Sequence, residues 1–360
     1  MDRAKKNILL LGLTSFFNDI SSEAIYGLLP FYIPDTAFLG LIGGLFNGLG
    51  SIFKFVFGYA SDVFKKRKPL VLAGYLTSAA SKLAMALSKG PLLVIAILGD
   101  RTGKGIRTSP RDAILAEAKM KGYAFGLHRA MDTLGAITGS LLMYALLRLK
   151  WDVRTAMIIA AAIGFLSLIP LLFVDEPSVR LKKKQHFLKL SPEMKKFLVA
   201  TFFIGLASIS PMLLIKQASL IIGIQSLLVY ALYNIFYVLS SRKMGSLSDL
   251  VGRRKVLIFS AALIAVSLLA ATFGGKLLLL SFLLYGIGMG AFSSTAPAEM
   301  SDLEKSARGT ALGFYHMTYG LGVFVGSILT GLLIPARGNA AMLFPALSGF
   351  LSVPLFARLK

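Results

Sequence analysis

The sequence predicts an all-α integral membrane protein with twelve transmembrane helices, arranged as two six-helix bundles related by a parallel pseudo-twofold repeat. Three observations predict it. The 360 residues divide into apolar runs long enough to cross a bilayer, Lys and Arg gather in alternate connections, and the chain matches itself at an offset of 187 residues.

A spanning helix needs roughly 20 mostly apolar residues. By that measure the spans are about 7–33, 36–60, 69–88, 91–115, 122–147, 153–174, 195–221, 224–247, 254–273, 277–300, 307–334 and 339–357. The first carries Asp19 and Glu23 in its middle and lacks a small-residue exit, so it reads as a retained helix rather than a cleaved signal. The second runs into the basic stretch FKKRK, and the third opens just beyond it. The fourth ends in GDRTGKGIRTSPRD, where Gly103, Gly105 and Pro110 predict a loosened final turn. The fifth and sixth meet near Trp151. The seventh to tenth follow the one long connection, and the last two close the chain. The expected organisation is a first bundle over 1–174, a cytoplasmic linker over 175–194 and a second bundle over 195–360.

Composition agrees with this reading. Charged residues make up 16% and hydrophobic residues 56%, with a mean hydropathy of +0.73. A soluble domain carries about a quarter charged residues. The formal charge is nevertheless +22. With the N-terminus cytoplasmic, 28 of the 39 Lys and Arg residues fall on the cytoplasmic side and six outside: Lys89, Arg148, Lys150, Arg154, Lys276 and Arg337. Lys54, Lys82, Arg101, Arg129 and Lys216 lie deep within spans. This skew is the positive-inside pattern, so the basic balance reports topology and anionic lipid rather than nucleic acid. Cysteine is absent, which excludes disulfides and thiolate metal sites.

The internal match is gapless. GYASDVFKKRK (58–68) lies over GSLSDLVGRRK (245–255). Gly103, Pro110 and Asp112 fall on Gly290, Pro297 and Glu299. Gly122, Gly126, Gly135, Gly139 and Ser140 fall on Gly309, Gly313, Gly322, Gly326 and Ser327. An offset of six helices gives both halves one orientation, hence an axis along the membrane normal.

These residues carry a family resemblance. Both loop stretches, G-x-x-S-D followed by R-K, resemble the cytoplasmic loop motif of the major facilitator superfamily. Arg101-x-x-Lys104-Gly105 resembles that superfamily's R-x-x-Q-G motif, with lysine for glutamine. Gly135-x-x-x-Gly139 resembles its antiporter motif, with Ser140 where proline is expected. FFNDISSEAIY (16–26) and DRTGKGIRTSPRD (100–112) resemble an uncharacterised prokaryotic branch of exporter-like members. The resemblance implies alternating access. It also implies that Gly58, Asp62 and Arg67, with Gly245, Asp249, Arg253 and Arg254, latch the cytoplasmic side, each Asp facing a helix N-terminus.

Ionisable residues inside a span are costly unless paired or cavity-facing, so each is a functional candidate. Asp19 and Glu23 lie four apart on one helical face, with Asn18 beside them, and are expected to couple transport to protons. Arg101 is expected to face the same cavity, with Asp19 as its structural partner and Glu23 as proton carrier. Arg129 and Asp132, with His128, could pair within one helix. Lys54 is the one further lysine expected to face the cavity. Asn234, Tyr237, Tyr315, His316 and Tyr319, with Tyr285 and Phe292, suit an apolar substrate wall. DRTGKG lacks both the P-loop spacing and a preceding strand. No catalytic, nucleotide or metal-ligand spacing is present, so no enzyme activity and no cofactor are expected.

The function expected is secondary active transport, as proton-coupled export of a small amphipathic organic compound. Uptake of an anionic metabolite is one alternative, and a non-transporting scramblase or sensor is another. The partners expected are a small-molecule substrate, protons and the lipid bilayer, with no nucleic acid. The chain is expected to be a monomer in the plasma membrane with both termini cytoplasmic.

Overall fold

The computed structural model describes residues 3–49, 67–115, 121–175, 191–303 and 308–359. Its elements are helical throughout these residues. Eight helical stretches among them are long and apolar enough to cross a membrane, two being extended runs over Pro192–Val251 and Ala311–Ala357. The chain forms two compact units. Lys54, Gly58 and Asp62 lie outside the described residues.

The first unit contains α1 (Arg3–Tyr32), α3 (Lys68–Leu87), α4 (Pro91–Leu115), α5 (Lys121–Arg148), α6 (Val153–Leu166) and the short α7 (Leu168–Leu172). α1 packs against α5 and α6, and α3 packs against α4 and α6. Small residues set these approaches, as van der Waals contact is the main force between helices in lipid. A Cβ on Gly135 would meet the Phe16 carbonyl at 2.5 Å, and one on Gly139 would strike that of Ile20. Asp152 caps α6 by accepting from the Thr155 amide (3.0 Å) and its hydroxyl; these bonds hold its exposed carboxyl below the usual range. At the other end of the unit, Asn7 and Asp175 exchange two hydrogen bonds of 3.1 and 2.9 Å, and Lys6 pairs with Asp175 at 3.2 Å.

The second unit contains α8 (Pro192–Ala207), α9 (Pro211–Ile222), α10 (Ser226–Val251), α11 (Arg253–Thr272), α12 (Gly275–Leu303), α13 (Arg308–Arg337) and α14 (Leu343–Ala357). α8 packs against α13 and α14, α11 against α12 and α14, and α10 against α12. Residues 33–49 also cluster here rather than with the first bundle, in which the sequence places them. They form α2 (Thr36–Gly44) and a π-helical turn over Leu45–Leu49. The cause is again small residues: a Cβ on Gly40 would meet the Gly331 Cα at 2.9 Å.

Two elements differ from the sequence expectation. The loosened end of the fourth span is absent: α4 runs unbroken through Gly103, Gly105 and Pro110 to Leu115. Just before the proline, Thr108 donates its hydroxyl to the Lys104 carbonyl of its own helix at 2.6 Å. The seventh span, read as one helix, is divided at Ser208–Ser210. Ser210 precedes Pro211, which disfavours helical backbone at that position. Tertiary bonds support the break. The Tyr285 hydroxyl donates to the Ile209 carbonyl at 2.8 Å, and the Ser210 amide donates to the Ser327 hydroxyl at 3.0 Å.

Candidate functional site

The first unit buries a polar network where α1, α3, α4 and α5 carry their charged residues. Asn18 is its centre on α1. Lys82 donates its ammonium to the Asn18 carbonyl at 3.1 Å and to its side-chain oxygen at 2.8 Å. The Asn18 amide donates in turn to Asp19 at 2.9 Å. Lys82 is 1% exposed. The carbonyl and side-chain oxygen of Asn18, beside Asp19, hold its ammonium inside, since a buried charge is costly unless it is hydrogen-bonded.

α4 supplies the second half. Asp100 accepts from Arg101 and from the Ser78 hydroxyl on α3, and all three are buried. The carboxylate paired with Arg101 is therefore Asp100, not the Asp19 that sequence reasoning chose. Asp100 is adjacent in sequence and was missed because i,i+1 neighbours do not share a helical face in the usual argument. Here the guanidinium folds back along its own helix, through both Nε at 2.9 Å and Nη2.

Asp132 on α5 is approached by His128 Nδ1 at 3.5 Å, the i,i+4 neighbour. Arg129, named with it from sequence, is exposed. Asp19 is half-buried, and its charged neighbours are Asp132, Lys104, Glu23 and Arg107. The structure thus gathers Asn18, Asp19, Glu23, Arg101 and Asp132 with Lys82, Asp100, Lys104 and Arg107. The last two had been counted with the loop lysines and arginines. Their spacing from Asp100, four and then three, is the readable signal that they continue one helical face.

In the second unit the predicted wall residues fall into two aromatic groups, one around Tyr233 and one around Tyr315 and Tyr319. Tyr233 stacks on Tyr230 and Tyr285 with centroids at 5.6 and 6.0 Å, and lies 6.2 Å from Tyr237. Tyr319 lies 6.1 Å from Tyr315 and 5.5 Å from Phe292, and His316 meets Tyr315 edge-on at 4.9 Å. Tyr315, Tyr285 and Phe292 are buried, while Tyr237, His316 and Tyr319 are half-buried. Asn234 donates to the Tyr230 carbonyl within its own helix at 3.2 Å.

Of the latch residues, Asp249 pairs with Arg253 at 3.0 Å, and Arg253 also bonds Asp302 at the end of α12. This joins α10, α11 and α12 at one end of the unit. Arg254 is exposed, Arg67 is half-buried, and a Cβ on Gly245 would meet only Ser294 at 3.4 Å.

Comparisons with known proteins fit these features. A sequence profile of the Major Facilitator Superfamily matches residues 11–220 and 196–360. An uncharacterised MFS-type transporter of Methanocaldococcus jannaschii is 38% identical, covering 96% of this chain and 93% of that protein. Among solved structures, the nucleoside transporter NupG superposes with a TM-score of 0.80 at 17% identity, over 98% of this chain and 99% of its own. A transporter of the POT family, solved with a thioalcohol-conjugated peptide, gives 0.80 at 11% identity over 97% and 94%. A bacterial homologue of the lysosomal transporter Spinster gives 0.78 at 14% over 99% and 96%.

Proposed function

We propose that this chain, which belongs to the major facilitator superfamily and is a multi-pass membrane transporter, couples movement of a small organic compound to protons through the polar network of its first unit. Family membership favours transport over a scramblase or sensor, and over enzyme activity. The observation that carries the proton reading is Asp19. It is a membrane-depth carboxylate whose hydrogen-bond donor is the neutral amide of Asn18, with Asp132, Lys104, Glu23 and Arg107 as its charged neighbours. An acid so placed can change protonation without breaking a fixed ion pair. Alternating access, twelve spans and export of an amphipathic compound are the remaining parts of the proposal.

The two-bundle repeat has specific support. Gly135 and Gly139 of α5 lie against the Phe16 and Ile20 carbonyls of α1; Gly322 and Gly326 of α13 lie against the Phe202 and Leu206 carbonyls of α8. The glycines are 187 residues apart and their partners 186, so the first and seventh spans correspond with a one-residue slip. By these contacts Asp19 corresponds to Gly205 rather than to Leu206, and the second unit has only a glycine where the first has its acid.

The test is flux in everted vesicles under an imposed pH gradient, with a panel of organic compounds. Asp19→Asn at matched expression is expected to reduce pH-gradient-dependent flux to that of vesicles without the protein, while Glu23→Gln retains part of it. Full gradient-dependent flux in Asp19→Asn removes the acid from the mechanism.

Topology is tested separately. The 28-to-6 skew of basic residues predicts that Lys183 is cytoplasmic and Lys89 external. Cysteines placed singly at those positions, in a chain with none of its own, should be labelled by a membrane-impermeant reagent from opposite sides. Labelling of the Lys183 position from outside intact cells overturns the orientation.

A further inference from the structure

α4 presents Asp100, Lys104, Arg107 and Arg111 at spacings of four, three and four, so they lie along one face. The two outer positions of this row are satisfied locally. Asp100 holds Arg101, and Arg111 donates to Asp112 at 2.8 and 3.0 Å. The two inner positions are different. Arg107 is only 4% exposed, yet its Nε and Nη1 have no hydrogen-bond partner among the described residues. Lys104, half-buried, makes no ion pair among them. A buried guanidinium with unmade hydrogen bonds is costly, and the cost is relieved only when an acceptor arrives.

The surroundings define that acceptor. The Arg107 guanidinium lies over the Tyr75 ring, 4.4 Å from its centroid. Stacking occupies a face of the fork and leaves its in-plane N–H edge for a ligand. The Tyr75 hydroxyl is itself buried without a partner. The charged groups facing Arg107 are Asp100, Asp19, Arg111, Lys104 and Lys82, and those facing Lys104 are Arg101, Asp19, Arg107 and Asp100. Asp100 is committed to Arg101 and Ser78, so Asp19 is the carboxylate that Lys104 and Arg107 both face, and among the described residues neither cation is bonded to it.

We propose that Lys104 and Arg107 form the subsite for the anionic group, a carboxylate or a phosphate, of a small organic substrate. A planar fork beside a point charge matches either group, which an aliphatic or aromatic wall would not. This inference rests on the transporter reading above and adds the substrate's charge to it.

The experiment uses the full chain in lipid nanodiscs, with inorganic phosphate and lactate as the two probes and chloride at matched ionic strength as control. One probe is expected to raise the melting temperature saturably, and which one does so separates phosphate from carboxylate recognition. Arg107→Gln and Lys104→Gln should each weaken that probe about 10–100-fold, the loss of one charge-assisted contact. Arg107→Lys should recover only part, because it lacks the fork. Without probe, Arg107→Gln should melt no lower than the parent, since it removes a buried charge whose Nε and Nη1 make no hydrogen bond; a merely structural arginine would lower it. If neither probe acts saturably, or if both act equally on Arg107→Gln, the subsite is wrong. Gradient-driven flux that survives in Arg107→Gln also overturns the subsite and leaves the transporter standing. Saturable anion binding with no flux of any compound does the reverse.

Discussion

Replacing Asp100 by alanine is expected to destabilise the protein by about 3–5 kcal/mol, the cost of leaving one partner of a buried ion pair unmatched. Two cations depend on this carboxylate. Arg101, 6% exposed, is bonded to it directly, and Lys82, 1% exposed, lies within its field. Ser78 loses its acceptor as well. Thermal melting of detergent-purified protein reads the effect. Asp100→Asn should lie between the two, because it keeps an acceptor for Ser78 and loses the charge. The decisive variant is Asp100→Ala combined with Arg101→Met. Removing both partners of a buried pair is often close to neutral, so the double change should melt above the single one. A single variant within about 1 kcal/mol of the parent would mean that the pair contributes no more than an ordinary surface contact.

Gly139→Ala and Gly326→Ala form the second expectation. Each glycine lies directly on a neighbouring helix's main chain. A Cβ on Gly139 would strike the Ile20 carbonyl and lie 3.2 Å from the Ala24 amide, while one on Gly326 would strike the Leu206 carbonyl. Backbone atoms cannot rotate away as a side chain does, so the helices must part. Overpacking of this kind costs about 1–3 kcal/mol, occasionally more. Gly245→Ala is the internal control. Its Cβ would meet only the Ser294 side chain at 3.4 Å, and alanine favours a helix interior by roughly 0.5–1 kcal/mol over glycine. The order of melting temperatures should therefore be Gly245→Ala at or above the parent, with the other two below it. If all three melt alike, close helix approach is not what these glycines provide.

Much of this was legible in the sequence. An all-helical membrane protein follows from length and hydropathy, because an apolar run of about 20 residues has few other fates. The membrane-depth acids Asp19 and Asp132 were also legible, since a charge inside an apolar run stands out. Asp19 and Glu23 fall on one helical face from spacing alone. The paired glycines were visible as a pattern in one register, although their contact partners were not.

Other features needed the third dimension. Spacing along one helix says nothing about which neighbouring helix faces it, so Lys82 could not be joined to Asn18, sixty-four positions away. Asp100 was hidden beside Arg101 because helical reasoning looks three and four residues ahead. Arg107 was hidden because a basic residue near a span's end reads as a topology signal, and Lys104 was legible only as part of the R-x-x-K-G stretch. The break at Ser208–Ser210 was masked by apolar neighbours; it stands because Tyr285 and Ser327 supply the bonds that the helix gives up.

The sequence by itself determined that this chain is helical, membrane-spanning and polar at depth in its first half. Only the tertiary structure decided which cation each buried carboxylate holds and which is left over. The physical reason is that hydropathy and helical period are properties of neighbours along the chain. Ion pairing is a property of neighbours in space, and here Arg101 is bonded to a carboxylate while Arg107, six positions on along the same helix, is not.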